Sequence, residues 1–201
     1  MDVARDLARQ RLDRWSRQTV ENGDGRLREA AVALTVVRRD DTHGIWILKR
    51  PATMRNHPNQ FALPGGRLDD GESAVDAARR ELREETGIET DVTDVLGELD
   101  DYETRSGYVI TPVVCWLDDD PPLRPNPAEV AHSYFVPFAD LVRTPRFLTI
   151  PQSPRPVIQL PVLGQLIHAP TAALVYQFAE VVLRDRPTRV DQLEQPVFAW
   201  R

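Results

Sequence analysis

The segment Gly66–Ile88, GRLDDGESAVDAARRELREETGI, constrains the chain more than any other. Asp69, Asp70, Gly71, Glu72 and Ser73 are turn and cap residues. They lead into a run rich in Ala, Leu, Arg and Glu, which favour helix. The spacing predicts a helix over Ala74–Glu85, capped by Ser73, with Asp76 near the positive end of the dipole and Gly87 as the stop. At about 100° per residue, Val75, Ala78 and Leu82 fall on one apolar stripe. Glu81 and Glu85, four apart, stack on one edge of it, and Glu84 lies about a quarter-turn further round. Carboxylates so placed repel one another, and a hard divalent cation with oxygen ligands relieves the repulsion. Mg2+ or Mn2+ suits such donors better than zinc, which prefers His and Cys.

The positions Gly66, Glu72, Arg80, Glu81, Leu82, Glu84, Glu85, Gly87 and Ile88 match, without a gap, the Nudix box. A surface helix with Glu/Arg pairs needs only i,i+4 spacing and would not specify these nine positions together. The chain therefore resembles a Nudix hydrolase. The resemblance implies an α/β Nudix fold, a mixed β-sheet between helices with the box as loop–helix–loop. It implies hydrolysis of a diphosphate linked to another moiety, assisted by Mg2+ or Mn2+. In that reading Glu81, Glu84 and Glu85 hold the metal, joined by the Gly66 carbonyl. Arg80 orients the glutamates through Glu72, and Glu84 or Glu129 accepts the proton of the attacking water. Glu129 follows Asn126-Pro127-Ala128 and precedes Val130; a structural role for it stands beside the catalytic one.

The stretch before the box, WILKRPATMRNHPNQFALPGG from Trp46 to Gly66, is similar to the one that precedes it in Nudix enzymes cleaving coenzyme A. Arg50, Arg55, His57, Gln60, Pro64, Gly65 and Gly66 are in register. The departures are Leu48 for Thr, Pro51 for Ser, Asn59 for Gly and Leu63 for Phe. Asn tolerates positive φ, so Asn59 is a mild change. Arg50, Arg55 and His57 are candidate phosphate ligands, with a structural ion pair as the other reading of Arg50. Downstream, the DDYETRSG loop from Asp100 to Gly107 and the strand after it resemble the same subgroup. Tyr102 is a candidate for stacking on adenine, or a half-buried loop aromatic, and Arg105 a candidate for meeting a phosphate. Hydrolysis of ADP-ribose or NADH, and a nucleotide-sensing module without turnover, are the rival readings.

The chain has 201 residues, 41% of them hydrophobic, with a net charge of −6. This describes one domain with terminal elaborations: a helix over 1–25, the Nudix domain over 26–185 and a tail over 186–201. The charge argues against a broad basic surface for nucleic acid. Cys115 is the sole cysteine and sits in an apolar run, so it reads as core and no internal disulfide forms. No signal-like start or long apolar run appears, which gives a cytoplasmic expectation with no membrane contact. Homodimers are common in the family, and that alone points to one here.

The remaining elements read as follows. Residues 2–20 carry Val3, Leu7, Leu12 and Trp15 among charges, an imperfect helical stripe for packing on the domain or on a second subunit. Ala30–Val37, Ile45–Lys49, Val92–Leu99 and Val109–Leu117 read as strands, with Pro112 marking an edge or bulge. Pro64-Gly65-Gly66 reads as a turn that brings backbone close to the site. Residues 142–170 are Pro-rich with strand pieces, and Thr171–Leu183 reads as a helix capped by Thr171. Residues 184–201 carry no legible motif.

Overall fold

The computed structural model describes residues 3–23, 25–54 and 57–200. Helix α1 (Arg5–Asp13) precedes a hairpin of β1 (Arg28–Arg39) and β2 (Thr42–Lys49). The short strands β3 (Phe61–Ala62) and β4 (Gly65–Arg67) lead into α2 (Ala74–Thr86). Then come β5 (Val95–Glu98), β6 (Tyr102–Glu103), β7 (Tyr108–Trp116), β8 (His132–Pro137) and the one-turn α3 (Phe138–Leu141). The strands β9 (Arg146–Ile150), β10 (Ser153–Val162) and β11 (Gln165–His168) form a separate sheet before α4 (Thr171–Phe178). The helix continues over Ala179–Leu183 in π-helical form.

The larger sheet is mixed, as expected. β1 runs parallel to β7, and its other pairings are antiparallel, including β1 with β2 and with β4. Asp40 and Asp41, both at positive φ, form the two-residue turn of the β1–β2 hairpin. One sheet face receives α2, where Ala77, Ala78 and Leu82 meet Ala31, Ala33, Val113 and Cys115. The opposite face carries Leu34, Val36, Val114 and Trp116 against Phe138, Leu160 and Phe178, with Ala8 and Leu12 of α1 joining that core. Cys115 is fully buried and burial pushes its thiol up to about 12, so the core reading of it holds. Among the described residues no helix is long and apolar enough to cross a membrane.

Several expected elements differ. The N-terminal helix is shorter, because the chain leaves helical form after Asp13 and residues 15–20 are held by specific bonds. Trp15 Nε1 donates to Asp100 Oδ1 at 3.1 Å and the Gln18 amide donates to it at 2.8 Å. Pro64-Gly65-Gly66 is no turn: Gly65–Arg67 pairs with Ala30–Val32 as a strand. Val92–Asp94 forms a 3-10 turn before β5. Pro112 sits in an interior strand. Its carbonyl accepts from Leu99 N at 3.0 Å, so its missing N–H faces the break between β5 and β6, where the ladder loses nothing. Thr171 does not cap α4; its hydroxyl donates to Phe61 O at 3.0 Å and ties the helix start to β3.

Candidate active site

Helix α2 forms where the sequence places it. The Asp76 amide donates to Ser73 Oγ at 3.1 Å, and Gly87, at φ 75°, donates its amide to Arg83 O at 2.8 Å. Burying Ala78 and Leu82 rotates Glu85 inward until it is only 6% exposed, and Gly65 N donates to its Oε2 at 3.2 Å. Glu81 lies against Gly66 so closely that a Cβ added there would fall 2.3 Å from Oε1. Gly66 is therefore needed for space; its φ is not positive. Glu84 is the exposed member of the set, its side chain 49% accessible.

Arg80 ties these groups together. Its Nε and Nη2 donate to the two oxygens of Glu72, each at 2.9 Å, and Nη1 donates to Glu81 Oε1 at 2.7 Å and Glu84 Oε2 at 3.4 Å. Nη2 also donates to Arg67 O at 3.0 Å. The hydrogen bonds from Arg80 hold Glu72 below the usual carboxylate range, and those it donates to Glu72 and Glu81 raise the guanidinium in turn. The fork on Glu72 is the contact the sequence pointed to.

Glu129 comes from a loop that docks on the end of α2. Arg124 N donates to Thr86 O at 2.7 Å, Asn126 N to Glu85 O at 2.9 Å, and Asn126 Nδ2 to Glu129 Oε2 at 3.1 Å. Asn126 thus aims Glu129, a role the sequence reading missed, although an Asn before Pro is a recognisable turn signal. Burial raises Glu81, and the charges of Glu84 and Glu129 raise it further, against Arg80. Burial, then Glu81, pushes Glu85 up to about 8, against Gly65 N–H and Arg50, with Glu129 adding to the rise. The site is thus short of positive charge around its inner carboxylates.

Arg50 supplies positive charge near this set. Its charge acts on Glu85 and, after burial, helps lower His57. Among the described residues its Nε is buried without a hydrogen-bond partner, and its charge on the buried Glu85 is compatible with both readings of it, phosphate ligand and structural ion pair. His57 is half-buried at φ 52°, and Asn59, at φ 59°, holds the conformation a glycine would favour. Arg55 lies outside the described residues.

Two candidates are corrected. Tyr102 is 2% exposed and its hydroxyl donates to Leu193 O at 3.0 Å, so no ring face is left for a base. Burial comes first among the causes that raise its hydroxyl. Arg105 Nη2 donates to Glu194 Oε2 at 2.6 Å, and the guanidinium lies 5.1 Å from the centre of the Trp200 ring. Tyr102 through Leu193 and Arg105 through Glu194 secure the C-terminal tail. No sequence pattern marked Leu193 and Glu194 as their partners.

Among the described residues, no three His, Cys, Asp or Glu side chains stand ready around one ion position; Glu81 is engaged by Arg80 and Glu85 by Gly65. The donor chemistry nevertheless fits a hard divalent cation. Three carboxylates supply only oxygen, two of them are raised by burial and like charge, and a side-chain-free backbone cradle lies at Gly66.

Comparisons with known proteins bear on the family and the fold. The Nudix hydrolase NudL of Cronobacter sakazakii, described as uncharacterized, is 40% identical over 121 residues. Its counterpart in Escherichia coli K12 is 36% identical over the same length. Each match covers 60% of this chain, and the chain spans only 62% of either relative. The crystal structure of a MutT/nudix family protein from Enterococcus faecalis superposes with a TM-score of 0.57 at 14% identity, covering 93% of this chain and 78% of that one. That likeness shows the fold. The NUDIX domain family model matches residues 27–160, and the chain belongs to the Nudix family.

Proposed function

We propose that the protein hydrolyses the diphosphate linkage of coenzyme A or its thioesters, giving 3′,5′-ADP and phosphopantetheine or acylphosphopantetheine. The carrying observation is the buried carboxylate of Glu85 within reach of the charge of Arg50, whose Nε is buried without a hydrogen-bond partner among the described residues, on the segment similar to that of coenzyme A-cleaving Nudix enzymes. Glu81, Glu84, Glu85 and the Gly66 carbonyl would hold Mg2+ or Mn2+. Such an ion, when bound, supplies charge withdrawal at phosphorus. Arg80 keeps Glu72, Glu81 and Glu84 in place. Arg50 and His57, with Arg55, bind phosphate oxygens. Glu129 or Glu84 takes the proton as water oxygen bonds to phosphorus and the bridging P–O bond breaks.

Of the departures from the coenzyme A pattern, Leu48 lies in the sheet at 2% exposure, paired with Ala62 and Ser133. The missing hydroxyl there is therefore a matter of core packing rather than substrate contact. The test is hydrolysis with Mg2+ or Mn2+ of coenzyme A, acetyl-coenzyme A, ADP-ribose, NADH and a dinucleoside polyphosphate, with products separated. Dominant 3′,5′-ADP is the expected result. Preference for ADP-ribose or NADH overturns the substrate while leaving the hydrolase reading. Binding without turnover in folded, metal-loaded protein turns the reading to a sensor.

A further inference from the structure

A cavity of about 230 Å3 opens beside the segment that carries Arg50 and His57. Asn59, Gln60 and Phe61 form one wall, Gln165 and His168 of β11 another, and Phe198 of the tail stands at the rim. We propose that this cavity receives the uncharged, amide-bearing arm of the substrate, which in coenzyme A is the pantetheine. This rests on the substrate reading above and fixes which way round the molecule lies.

Charge separates the two ends. Among the described residues, no Lys, Arg, Asp or Glu lines the cavity. Burial also lowers His168, favouring the uncharged imidazole. What remains is side-chain amides and an imidazole between apolar walls, which suits a ligand that exchanges amide hydrogen bonds and buries aliphatic carbon. The nearest cation the structure sets against a wall residue is Lys49, whose Nζ lies 5.5 Å from the centre of the Phe61 ring, outside the lining, whereas the charge of Arg50 acts on the carboxylate side. The cavity is also within reach. Arg50 N donates to Gln60 O at 2.9 Å, and Phe61 precedes Gly65, the donor to Glu85, by four residues, a span of at most about 14 Å.

The rim is built by the tail. The Phe198 ring packs edge-on against His168, with centroids 5.2 Å apart at 82°. The tail is held by Glu194, which is buried and accepts from Arg105, Ser153 and Gln195 N, while Trp200 Nε1 donates to Gln195 O. Residues 165–171 and 198 all lie beyond the span matched by the family model. The carboxylates thus lie within the matched span, and most of the cavity lies beyond it.

The experiment titrates pantetheine, which carries no phosphate, into the full chain and into Phe198→Ala and Gln165→Ala. Both side chains are exposed, and thermal melts establish that the variants fold. Saturable binding that weakens about tenfold in either variant is expected, with a matching rise in KM for coenzyme A and unchanged inhibition by 3′,5′-ADP. Absence of saturable binding, or equal binding by all three proteins, overturns the proposal. A loss of 3′,5′-ADP inhibition in the variants overturns it too, since the nucleotide half would then occupy the cavity. Failure of the wild-type protein to cleave coenzyme A sinks the substrate reading separately, and the pantetheine titration still decides the cavity.

Discussion

Adjacent glycines in β4 do different work. A Cβ on Gly66 meets the carboxylate of Glu81, the free end of a flexible side chain. A Cβ on Gly65 falls 2.4 Å from Ala31 O and 2.7 Å from Val32 Cα, which are backbone and cannot step aside. Gly66→Ala is therefore expected to fold with a near-normal melting temperature while losing Mn2+ binding and hydrolysis, because Glu81 is pushed off its position. Gly65→Ala is expected to lose about 1–3 kcal/mol of stability in denaturant titrations. Equal destabilisation by the two would refute the assignment of Gly66 to the carboxylate. Arg80 offers a second test. It bonds Glu72, Glu81 and Glu84 together, so Arg80→Ala is expected to cost about 10–100-fold in activity, the range for residues that orient metal ligands. Activity within twofold of wild type would remove it from the machinery.

At the scale of elements, the tail is an ion-paired strap. Burial alone would raise Glu194, but hydrogen bonds from Arg105, Ser153 and Gln195 N outweigh it and hold the carboxyl below its usual value. A depressed folded pKa gives stability that is complete above the unfolded pKa, about 4.3, and is lost as pH falls through the folded value. Glu194→Gln is expected to lower the melting temperature at pH 7, with the gap to wild type closing below about pH 4. A gap constant from pH 7 to 3 would assign the loss to packing. The same strap explains why Tyr102 and Arg105 were misread. Their loop looks like a ligand loop in the sequence, but their partners are Leu193 and Glu194, about 90 residues away in a segment with no periodicity. By contrast α2 was legible almost to the residue, because its cap, stripe and stop are all local signals. Pro112 misled for the opposite reason: its local rule is sound, but the break between β5 and β6 that satisfies it is tertiary.

Across the whole molecule, Asp100 joins segments that sequence distance keeps apart. It is 3% exposed and accepts from Trp15 Nε1, the Gln18 amide, Gln177 Nε2 at 2.7 Å and Arg189 Nη1 at 2.6 Å. The N-terminal segment, α4 and the tail therefore share one acceptor. Next to it Asp101 accepts from Arg17, the Val20 amide and Thr111, adding a second tie to the sheet. Gln177 is fully buried, so removing the carboxylate leaves its amide short of one partner, though it still donates to Thr188 O. Asp100→Ala is expected to cost about 3 kcal/mol or more, because several donors lose their acceptor together. Release of both ends should follow at one denaturant concentration. Limited proteolysis would then cut near residues 14–20 and 185–192 with a common onset that precedes cleavage of α2 or β7. Cleavage at one end alone would mean that the two termini are anchored independently, with Asp100 serving only its nearer partners.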